Sequence, residues 1–182
     1  DNVSFAYRKR HSAPRAAKKI WEFYQQGYFF VLDADVVKFF DNLNHQRLIR
    51  LVDDLLDENQ RILCNLVWRF IRTDKVPYET YRNEPGRENY FKNHKPKKIN
   101  REKGVPQGGV LSGMLANLYL NEFDHWIVAL KNSFDIQYVR YADDFVILTR
   151  EKHIAEILKD AASEKLSRDL YIELHKDPPK TA

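Results

Sequence analysis

The chain has 182 residues, a mass of 21.7 kDa, a net charge of +4 and a mean hydropathy of −0.61. This length suits about one domain, and 43% hydrophobic residues can fill a buried core, which excludes a disordered chain. The single cysteine, Cys64, excludes a disulfide framework and a cysteine-rich zinc site. No apolar run is as long as a membrane span, so we expect a cytoplasmic protein with no membrane partner. Because the only methionine is Met114, we also expect the chain to be part of a longer protein.

Hydrophobic periodicity divides the chain into helices and strands. The predicted elements, in chain order, are a helix over 13–26, a buried strand over 28–36, helices over 45–57, 59–72 and 110–130, strands over 136–142 and 145–149, a helix over 151–168 and a last strand over 170–174. From the first strand onward, if the extra helices are set aside, the order is βαββαβ. This order predicts an α+β fold of the ferredoxin-like type, in which the two middle strands form a hairpin.

Two segments carry most of the positive charge. The first 19 residues have a net charge of +5 and residues 73–103 have +4, so the rest of the chain has −5. Segment 73–103 lacks periodicity and contains several prolines, which predicts a long loop or an irregular hairpin. Aromatic residues interleave with the basic ones, a composition that suits the phosphates and stacked bases of a nucleic acid. A solvated loop and a solvated helix face explain the same charges, and both explanations stay open.

Acidic residues stand at the ends of two predicted strands. Asp143 and Asp144 lie at the tip of the predicted hairpin, and a third acid follows the first strand within segment 31–41. Adjacent carboxylates beside apolar strands are costly unless a cation is near, although an exposed Asp-Asp turn also accounts for the pair. Three carboxylates on neighbouring strands could hold two Mg²⁺ ions, which prefer oxygen ligands and as a pair support nucleotidyl transfer.

Three motifs, in order, resemble those of reverse transcriptases. The sequence Tyr-Ala-Asp-Asp at 141–144 is similar to the catalytic box of that family, and segment 35–41 resembles its motif A. Segment 104–112, which continues into the helix at 115–120, is similar to motif B, and residues 4–13 resemble the segment that precedes motif A. The resemblance is closest to group II intron and related bacterial reverse transcriptases. It departs from the intron enzymes at Gly113, where they commonly have proline.

The resemblance implies a polymerase palm, an α+β fold with a ferredoxin-like βαββαβ antiparallel sheet and helices, together with part of the fingers. Residues 1–27 would form a helical segment on the fingers side, and residues 28–72 the palm strand and helices of motif A. Residues 73–103 would be a basic loop or insertion. Residues 104–182 would complete the palm with the motif B helix and the hairpin of the catalytic box. The remaining fingers and the thumb are expected outside this chain, with the thumb absent from it.

The acid of motif A is identified by its spacing to an aromatic residue. The family places an aromatic five residues after the metal ligand. Phe40 lies five residues after Asp35, whereas Lys38 lies five residues after Asp33. Asp35 is therefore expected to bind metal, and Asp33 to form a cap or to pair locally.

The family's functional residues map onto further positions. The implied catalytic residues and metal ligands are Asp35, Asp143 and Asp144, joined by the backbone carbonyl of Val36, for two Mg²⁺ ions with Mn²⁺ as a possible substitute. The implied nucleotide-binding residues are Phe39, Phe40, Gln107 and Gly108. The implied primer and template contacts are Tyr141, Ala142, Arg8 and Arg15, and the last two are equally well explained as surface basic residues. The ring of Phe40 would act as a steric gate, because it would collide with the 2′-hydroxyl of a ribonucleotide.

The roles of three further residues stay open. Asn117, a polar residue within an apolar helix, either senses the nucleotide or forms a hydrogen bond in the core. One lysine after the last strand would assist the departing pyrophosphate, and the spacing does not decide between Lys176 and Lys180.

The resemblance implies an RNA-directed DNA polymerase, a nucleotidyltransferase that would be weak or inactive as this isolated piece. Its partners would be an RNA template, a DNA or RNA primer and deoxynucleoside triphosphates, with a structured RNA as a further partner. It would be a bacterial protein associated with the nucleoid or a ribonucleoprotein. The alternatives are an RNA-binding maturase or scaffold of a group II intron-like particle, and another template-dependent polymerase used in phage defence.

Overall fold

The computed structural model describes residues 3–76 and 98–175 of the chain. Its elements are α1 (Ala13–Gln25), β1 (Phe30–Ala34), α2 (Phe39–Asn42), α3 (His45–Asp53), α4 (Arg61–Ile71), α5 (Ser112–Leu130), β2 (Ile136–Tyr141), β3 (Asp144–Thr149) and α6 (Lys152–Leu170), with a 3₁₀ turn at Glu58–Gln60. The predicted helices and the first three predicted strands are confirmed, except that the helix predicted over 45–57 ends at Asp53, and the short α2 is an addition. Among the described residues, no helix is both long and apolar enough to cross a membrane.

The three strands form one antiparallel sheet in the order β1-β3-β2, with β3 in the centre. Alternate residues of a strand point to opposite faces. Phe145 and Ile147 accordingly join the main core under α5 and α6, whereas Leu148 packs with Phe23 of α1 on the other face. The central strand is therefore buried on both faces, which explains why residues 145–148 are all apolar.

The predicted last strand over 170–174 is wrong in its first part and is reduced to a single bridge. Leu158, Ala162, Leu166 and Leu170 are fully buried at four-residue spacing, so Leu170 continues the apolar row of α6. The helix then ends at Tyr171, which adopts the left-handed conformation (φ 57°). Beyond it, Leu174 forms an isolated antiparallel bridge with Val36. The described chain thus has a three-stranded sheet in place of the full βαββαβ order.

The basic segment 73–103 is described only at its ends, because residues 77–97 lie outside the described part of the chain. Lys75 and Ile99 pair in antiparallel fashion through two backbone hydrogen bonds of 2.8 Å. Arg101, one of the basic residues of this segment, is only 9% exposed. Its guanidinium donates to the backbone carbonyls of Thr73 (3.1 Å) and Val105 (3.3 Å). Arg101 therefore fastens the base of the segment and is not available to a nucleic acid.

The N-terminal segment lies beside the end of β2. The backbone N–H of Arg140 donates to the carbonyl of Val3 (2.7 Å), and the N–H of Phe5 donates to the carbonyl of Arg140 (2.9 Å). This parallel bridge, centred on Ser4, continues the sheet past β2 for a few residues. It brings Tyr7 over the start of α5, where a Cβ on Gly113 would lie 2.4 Å from the tyrosine ring. Glycine at 113, the departure from the intron enzymes, therefore leaves the space that the ring of Tyr7 occupies.

Replacement of Gly113 by alanine is expected to destabilise the protein by about 1–3 kcal/mol, because the new methyl group overlaps the ring of Tyr7. Urea unfolding of Gly113→Ala, Tyr7→Ala and the double variant measures the effect as a double-mutant cycle. In the Tyr7→Ala background, Gly113→Ala should be neutral or stabilising by up to about 1 kcal/mol, since alanine is the better helix residue. Equal destabilisation in both backgrounds would show that the Tyr7 ring is not the obstacle.

Candidate active site

Strand register brings the predicted catalytic carboxylates to one end of the sheet. Ala34, the last residue of β1, pairs with Phe145, so Asp35 follows at the level of Asp144 on the neighbouring strand. Tyr141 pairs with Asp144 across the hairpin, which leaves Ala142 and Asp143 as a two-residue turn. Ala142 adopts φ 59°, a left-handed conformation that is rare for a residue other than glycine. The turn thus holds Asp143 next to the ends of both strands that carry the other two acids.

The acids share one electrostatic field. Partial burial raises the pKa of Asp143 above its ordinary value, and the charge of Asp35 raises it further. The pKa of Asp144 is also raised, first by burial and then by Asp143, Asp35 and Asp33. Mutual repulsion of this kind means that the ionised cluster is unfavourable without a cation.

The fit of a metal ion to this cluster rests on the chemistry of its donors. Carboxylate oxygens are the ligands that Mg²⁺ and similar hard cations prefer. The side chain of Asp35 is 71% exposed and lies 3.8 Å, Oδ2 to Nε2, from the ring of His175. Within residues 3–76 and 98–175, no three acidic, histidine or cysteine side chains converge tightly enough to hold one ion. The chemistry of the donors fits a divalent cation, but the carboxylates would have to move closer together to bind one ion.

The backbone around Asp35 is held by the chain beyond α6. The N–H of His175 donates to the carbonyl of Asp35 (3.0 Å), and the N–H of Val37 donates to the carbonyl of Glu173 (2.9 Å). These bonds flank Val36, whose own carbonyl takes no part in the bridge to Leu174. The predicted metal-binding carbonyl of Val36 therefore stays a prediction that the bridge leaves open.

The turn that resembles motif B is clamped to the turn that resembles motif A. The N–H of Val105 donates to the carbonyl of Phe40, and the N–H of Gly104 donates to the carbonyl of Leu43, both at 2.7 Å. Gly104 adopts φ +80°, and a Cβ on it would lie 2.6 Å from the carbonyl oxygens of Phe40 and Asp41. Only glycine allows the two turns to approach this closely. The position of Phe40 is consequently tied to the segment that carries Gln107.

The predicted nucleotide-binding residues differ in accessibility. Gln107 and Gly108 are exposed, and Phe40 is partly exposed. Phe39, by contrast, is 1% exposed and packs edge-on against Tyr119 in the main core. Core contacts therefore occupy the ring of Phe39, which leaves only its backbone for a nucleotide.

The predicted primer and template residues occupy two places. Tyr141 is 40% exposed at the hairpin, whereas Ala142 beside it is 8% exposed. Arg8 and Arg15 are exposed, and each donates to a backbone carbonyl, that of Ser4 (3.3 Å) and that of Arg10, respectively. Lys176 and Lys180 lie outside the described residues.

A buried ion pair under the hairpin was missed by the sequence analysis. Arg140 is 1% exposed, and its guanidinium donates to both carboxylate oxygens of Asp124 in α5, at 2.7 and 2.5 Å. The hydroxyl of Tyr138 donates to the same carboxylate (2.7 Å). Asn117 accepts from Arg140 (3.0 Å) and donates to the carbonyl of Ala6 (2.8 Å), so it forms hydrogen bonds within the fold. The available signal was a charged residue at a core position of an apolar strand, opposite an acid on the apolar helix.

His45 supports the clamp between the two turns from below. It is 6% exposed, and its Nε2 donates to the carbonyl of Gly104 (2.6 Å). Burial lowers the pKa of His45, and the nearby charges of Arg101 and Arg72 lower it further. When the folded-state pKa of a histidine lies below its unfolded value of 6.5, protonation of that histidine destabilises the folded protein.

The contribution of His45 to stability is therefore expected to be full above about pH 6.5 and to fall as the pH drops toward the lowered folded-state pKa. Urea unfolding between about pH 7.5 and 5.5 should show this loss in the native protein and a smaller one in His45→Gln, which has no group that titrates there. His153→Gln is the matched control, because His153 is exposed beside Glu151. A pH dependence that is the same in His45→Gln as in the native protein would contradict the assignment.

Comparison with known proteins agrees with this geometry. The family model described as reverse transcriptase (RNA-dependent DNA polymerase) matches residues 2–177. The chain therefore belongs to the reverse transcriptase family, and its antiparallel sheet with covering helices is a palm-like fold. Members of this family generally use divalent metal ions.

The chain is similar to several individual proteins. The group II intron-encoded protein LtrA of Lactococcus lactis subsp. cremoris is 30% identical over 135 residues, which are 74% of this chain and 19% of LtrA. Protein YkfC of Escherichia coli (strain K12) is 23% identical over 181 residues, which cover 83% of this chain and 42% of YkfC. A telomerase of Candida tropicalis, solved in complex with a fragment of telomeric RNA, has a TM-score of 0.66 at 14% identity and covers 95% of this chain and 29% of its own. The last likeness concerns the fold alone, and the chain spans less than half of each of these relatives.

Proposed function

We propose that the protein which carries this chain is an RNA-directed DNA polymerase that adds deoxynucleotides to the 3′-hydroxyl of a primer. The observation that carries the proposal is the meeting of Asp35, Asp143 and Asp144 at one end of the sheet, where burial, and then the charges of neighbouring acids, raise the pKa values of Asp143 and Asp144. Acids that repel each other at the ends of apolar strands are a cost to the fold. A bound cation would offset this repulsion, so the placement of the acids favours a cation-binding function.

Magnesium is the ion that we propose for this site, because its preferred ligands are carboxylate and carbonyl oxygens. Asp35, Asp143 and Asp144 would hold two such ions with the backbone carbonyl of Val36, and Mn²⁺ would substitute because it accepts the same oxygen donors. When bound, the ions would activate the primer oxygen and offset the charge of the leaving pyrophosphate.

The remaining task of the protein is to orient its substrates. The two-residue turn presents Asp143, and the first residue of β3 presents Asp144, at the end of the sheet beside Tyr141, which would contact the primer end. Gln107 is exposed and would contact the incoming nucleotide. Among the described residues, its two chain neighbours aside, no atom lies within 4 Å of the place where a Cβ on Gly108 would lie, so its surface there is open to a template base pair.

The proposed partners are an RNA template, a DNA or RNA primer, deoxynucleoside triphosphates and a structured RNA. Arg8 and Arg15 are exposed within the N-terminal 19 residues, whose net charge of +5 suits a phosphate backbone. A structured RNA partner is suggested by the relatives, since LtrA is described as intron-encoded and the telomerase was solved with telomeric RNA.

Primer extension by the full-length protein tests the proposal. The purified protein, an RNA template with an annealed DNA primer, deoxynucleotides and Mg²⁺ should yield extended primer, and EDTA should abolish the product. A matched DNA template and a matched ribonucleotide mixture measure the preference for template and substrate. A full-length protein that binds template and primer but never extends the primer with Mg²⁺ or Mn²⁺ would refute the polymerase function and favour an RNA-binding role.

A further inference from the structure

We propose that Arg140 is a positioning residue of the polymerase site: clamped by Asp124, it fixes the turn that carries Asp143 through a hydrogen bond to the carbonyl of Ala142. This inference rests on the proposed polymerase function. It concerns a residue that does not touch the substrate and acts through the backbone of the hairpin.

All three guanidinium nitrogens of Arg140 form hydrogen bonds. Nε and Nη2 of Arg140 donate to the two carboxylate oxygens of Asp124, at 2.7 and 2.5 Å. Nη1 donates to the carbonyl of Ala142 at 2.6 Å and to the side-chain oxygen of Asn117 at 3.0 Å. The fork toward Asp124 leaves the group no rotational freedom, so Nη1 is held at one point below the turn.

The turn after β2 has a backbone conformation that needs support. Ala142 is in the left-handed region, where a residue with a Cβ persists only if its surroundings hold it there. Its side chain is 8% exposed and its carbonyl accepts from Arg140 inside the protein. The peptide unit is planar, so an anchored Ala142 carbonyl also fixes the orientation of the N–H of Asp143. The direction in which the Asp143 carboxylate leaves the turn therefore depends on Arg140.

Arg140 and its partners are also bonded to the N-terminal segment. Backbone bonds join Arg140 to Val3 and Phe5, and Asn117 joins its side chain to the carbonyl of Ala6. The clamp is thus supported by α5 on one side and by residues 3–6 on the other. A support with this many contacts resists displacement when the acids repel each other.

The charge of Arg140 is fully matched by that of Asp124, which makes the pair costly to break and cheap to replace as a whole. Removal of one partner leaves the other charge buried and unpaired, which destabilises the protein. A loss of activity in such a variant would therefore not show whether Arg140 positions the turn. Exchange of the pair for apolar residues of similar volume is often neutral for stability. The two kinds of variant separate positioning from stability.

The test uses the full-length protein and three variants. Arg140→Lys keeps the charge but not the fork, and the triple variant Arg140→Met, Asp124→Leu, Tyr138→Phe replaces the whole buried set. Glu122→Gln is the matched control, because Glu122 lies on α5, as Asp124 does, but pairs with Arg47 and Lys165 away from the hairpin. Thermal unfolding, steady-state primer extension and amide hydrogen exchange of peptides that cover residues 141–145 are measured for each protein.

The expected result is a kcat about 10- to 100-fold lower in Arg140→Lys and in the triple variant, with KM for the template–primer unchanged. Exchange at residues 141–145 should be faster in both, while Glu122→Gln matches the native protein in kcat and in exchange. The triple variant should unfold near the native temperature. Native kcat in a stable triple variant, or unchanged exchange at the hairpin, overturns the inference, whereas an inactive native protein would count against the polymerase function itself.

Discussion

An Asp143→Asn substitution in the full-length protein is expected to lower primer extension by about 10³-fold or more, equivalent to about 4 kcal/mol of transition-state stabilisation. The amide keeps the size of the carboxylate but lacks its charge, so a divalent cation loses one of three anionic ligands. Single-turnover extension at saturating deoxynucleotide measures the chemical step directly.

The same substitution is expected to leave thermal stability without divalent ions unchanged or higher. Burial and the charge of Asp35 raise the pKa of Asp143 in the folded protein, so folding disfavours its ionised form. A neutral side chain at this position removes that cost at neutral pH. Loss of activity together with equal or higher stability is the signature of a residue selected for function.

Asp33→Asn is the matched control for this experiment. Asp33 lies on β1, two residues before Asp35. Its charge adds to burial and the other acids in raising the pKa of Asp144. Its spacing to Lys38 excludes it from the predicted ligand set. Extension by Asp33→Asn should stay within a few-fold of the native rate. The assignment of the ligands fails if Asp33→Asn is as inactive as Asp143→Asn, or if Asp143→Asn still extends primers at the native rate.

A Phe40→Ala substitution is expected to reduce the preference for deoxynucleotides over ribonucleotides by roughly 100-fold, mainly through faster incorporation of ribonucleotides. The ring of Phe40 is partly exposed, and its backbone carbonyl is held by the N–H of Val105. A ring that cannot retreat rejects a 2′-hydroxyl by overlap, whereas a methyl group leaves room for it. The ratio of kcat/KM for the two kinds of nucleotide on one template gives the selectivity.

Phe39→Leu is the control for the gate, because Phe39 has the same ring but faces the core. It should lower the unfolding temperature through lost packing and leave the selection of the sugar unchanged. Unaltered sugar selection in Phe40→Ala would refute the gate. Equal relaxation in Phe39→Leu would instead point to a general loosening of the segment between β1 and α3.

The sequence predicted most of the elements because their apolar periodicity is local. Residues 152–170 repeat an apolar row at helical spacing, and residues 136–149 alternate or run apolar as strands do. The last strand failed for the same reason, since Leu170 belongs to the helical row and the pairing of Leu174 with Val36 involves residues far apart in the chain. Local patterns cannot show whether a short apolar segment ends a helix or joins a distant strand.

The roles of several individual residues likewise depend on partners that are distant in the chain. Gly113 departs from the family pattern beside the ring of Tyr7, which is more than a hundred positions away in the chain. Arg101 counted as one basic residue among many, and the fold turned its guanidinium inward to two carbonyls. The hydrogen-bond partners of Asn117 and Arg140 could not be predicted from the sequence, because most of them lie on other elements.

The sequence by itself determined the family, the order of the three motifs and the acids that form the candidate site, because these depend on residue type and spacing along the chain. Only the tertiary structure decided how the acids are supported. The register of β1 against β3 sets Asp35 at the level of Asp144, and the pair of Arg140 with Asp124 anchors the turn of Asp143. Such support arises between elements that are distant in sequence, and hydrogen-bond geometry and burial select the partners only after the chain has folded.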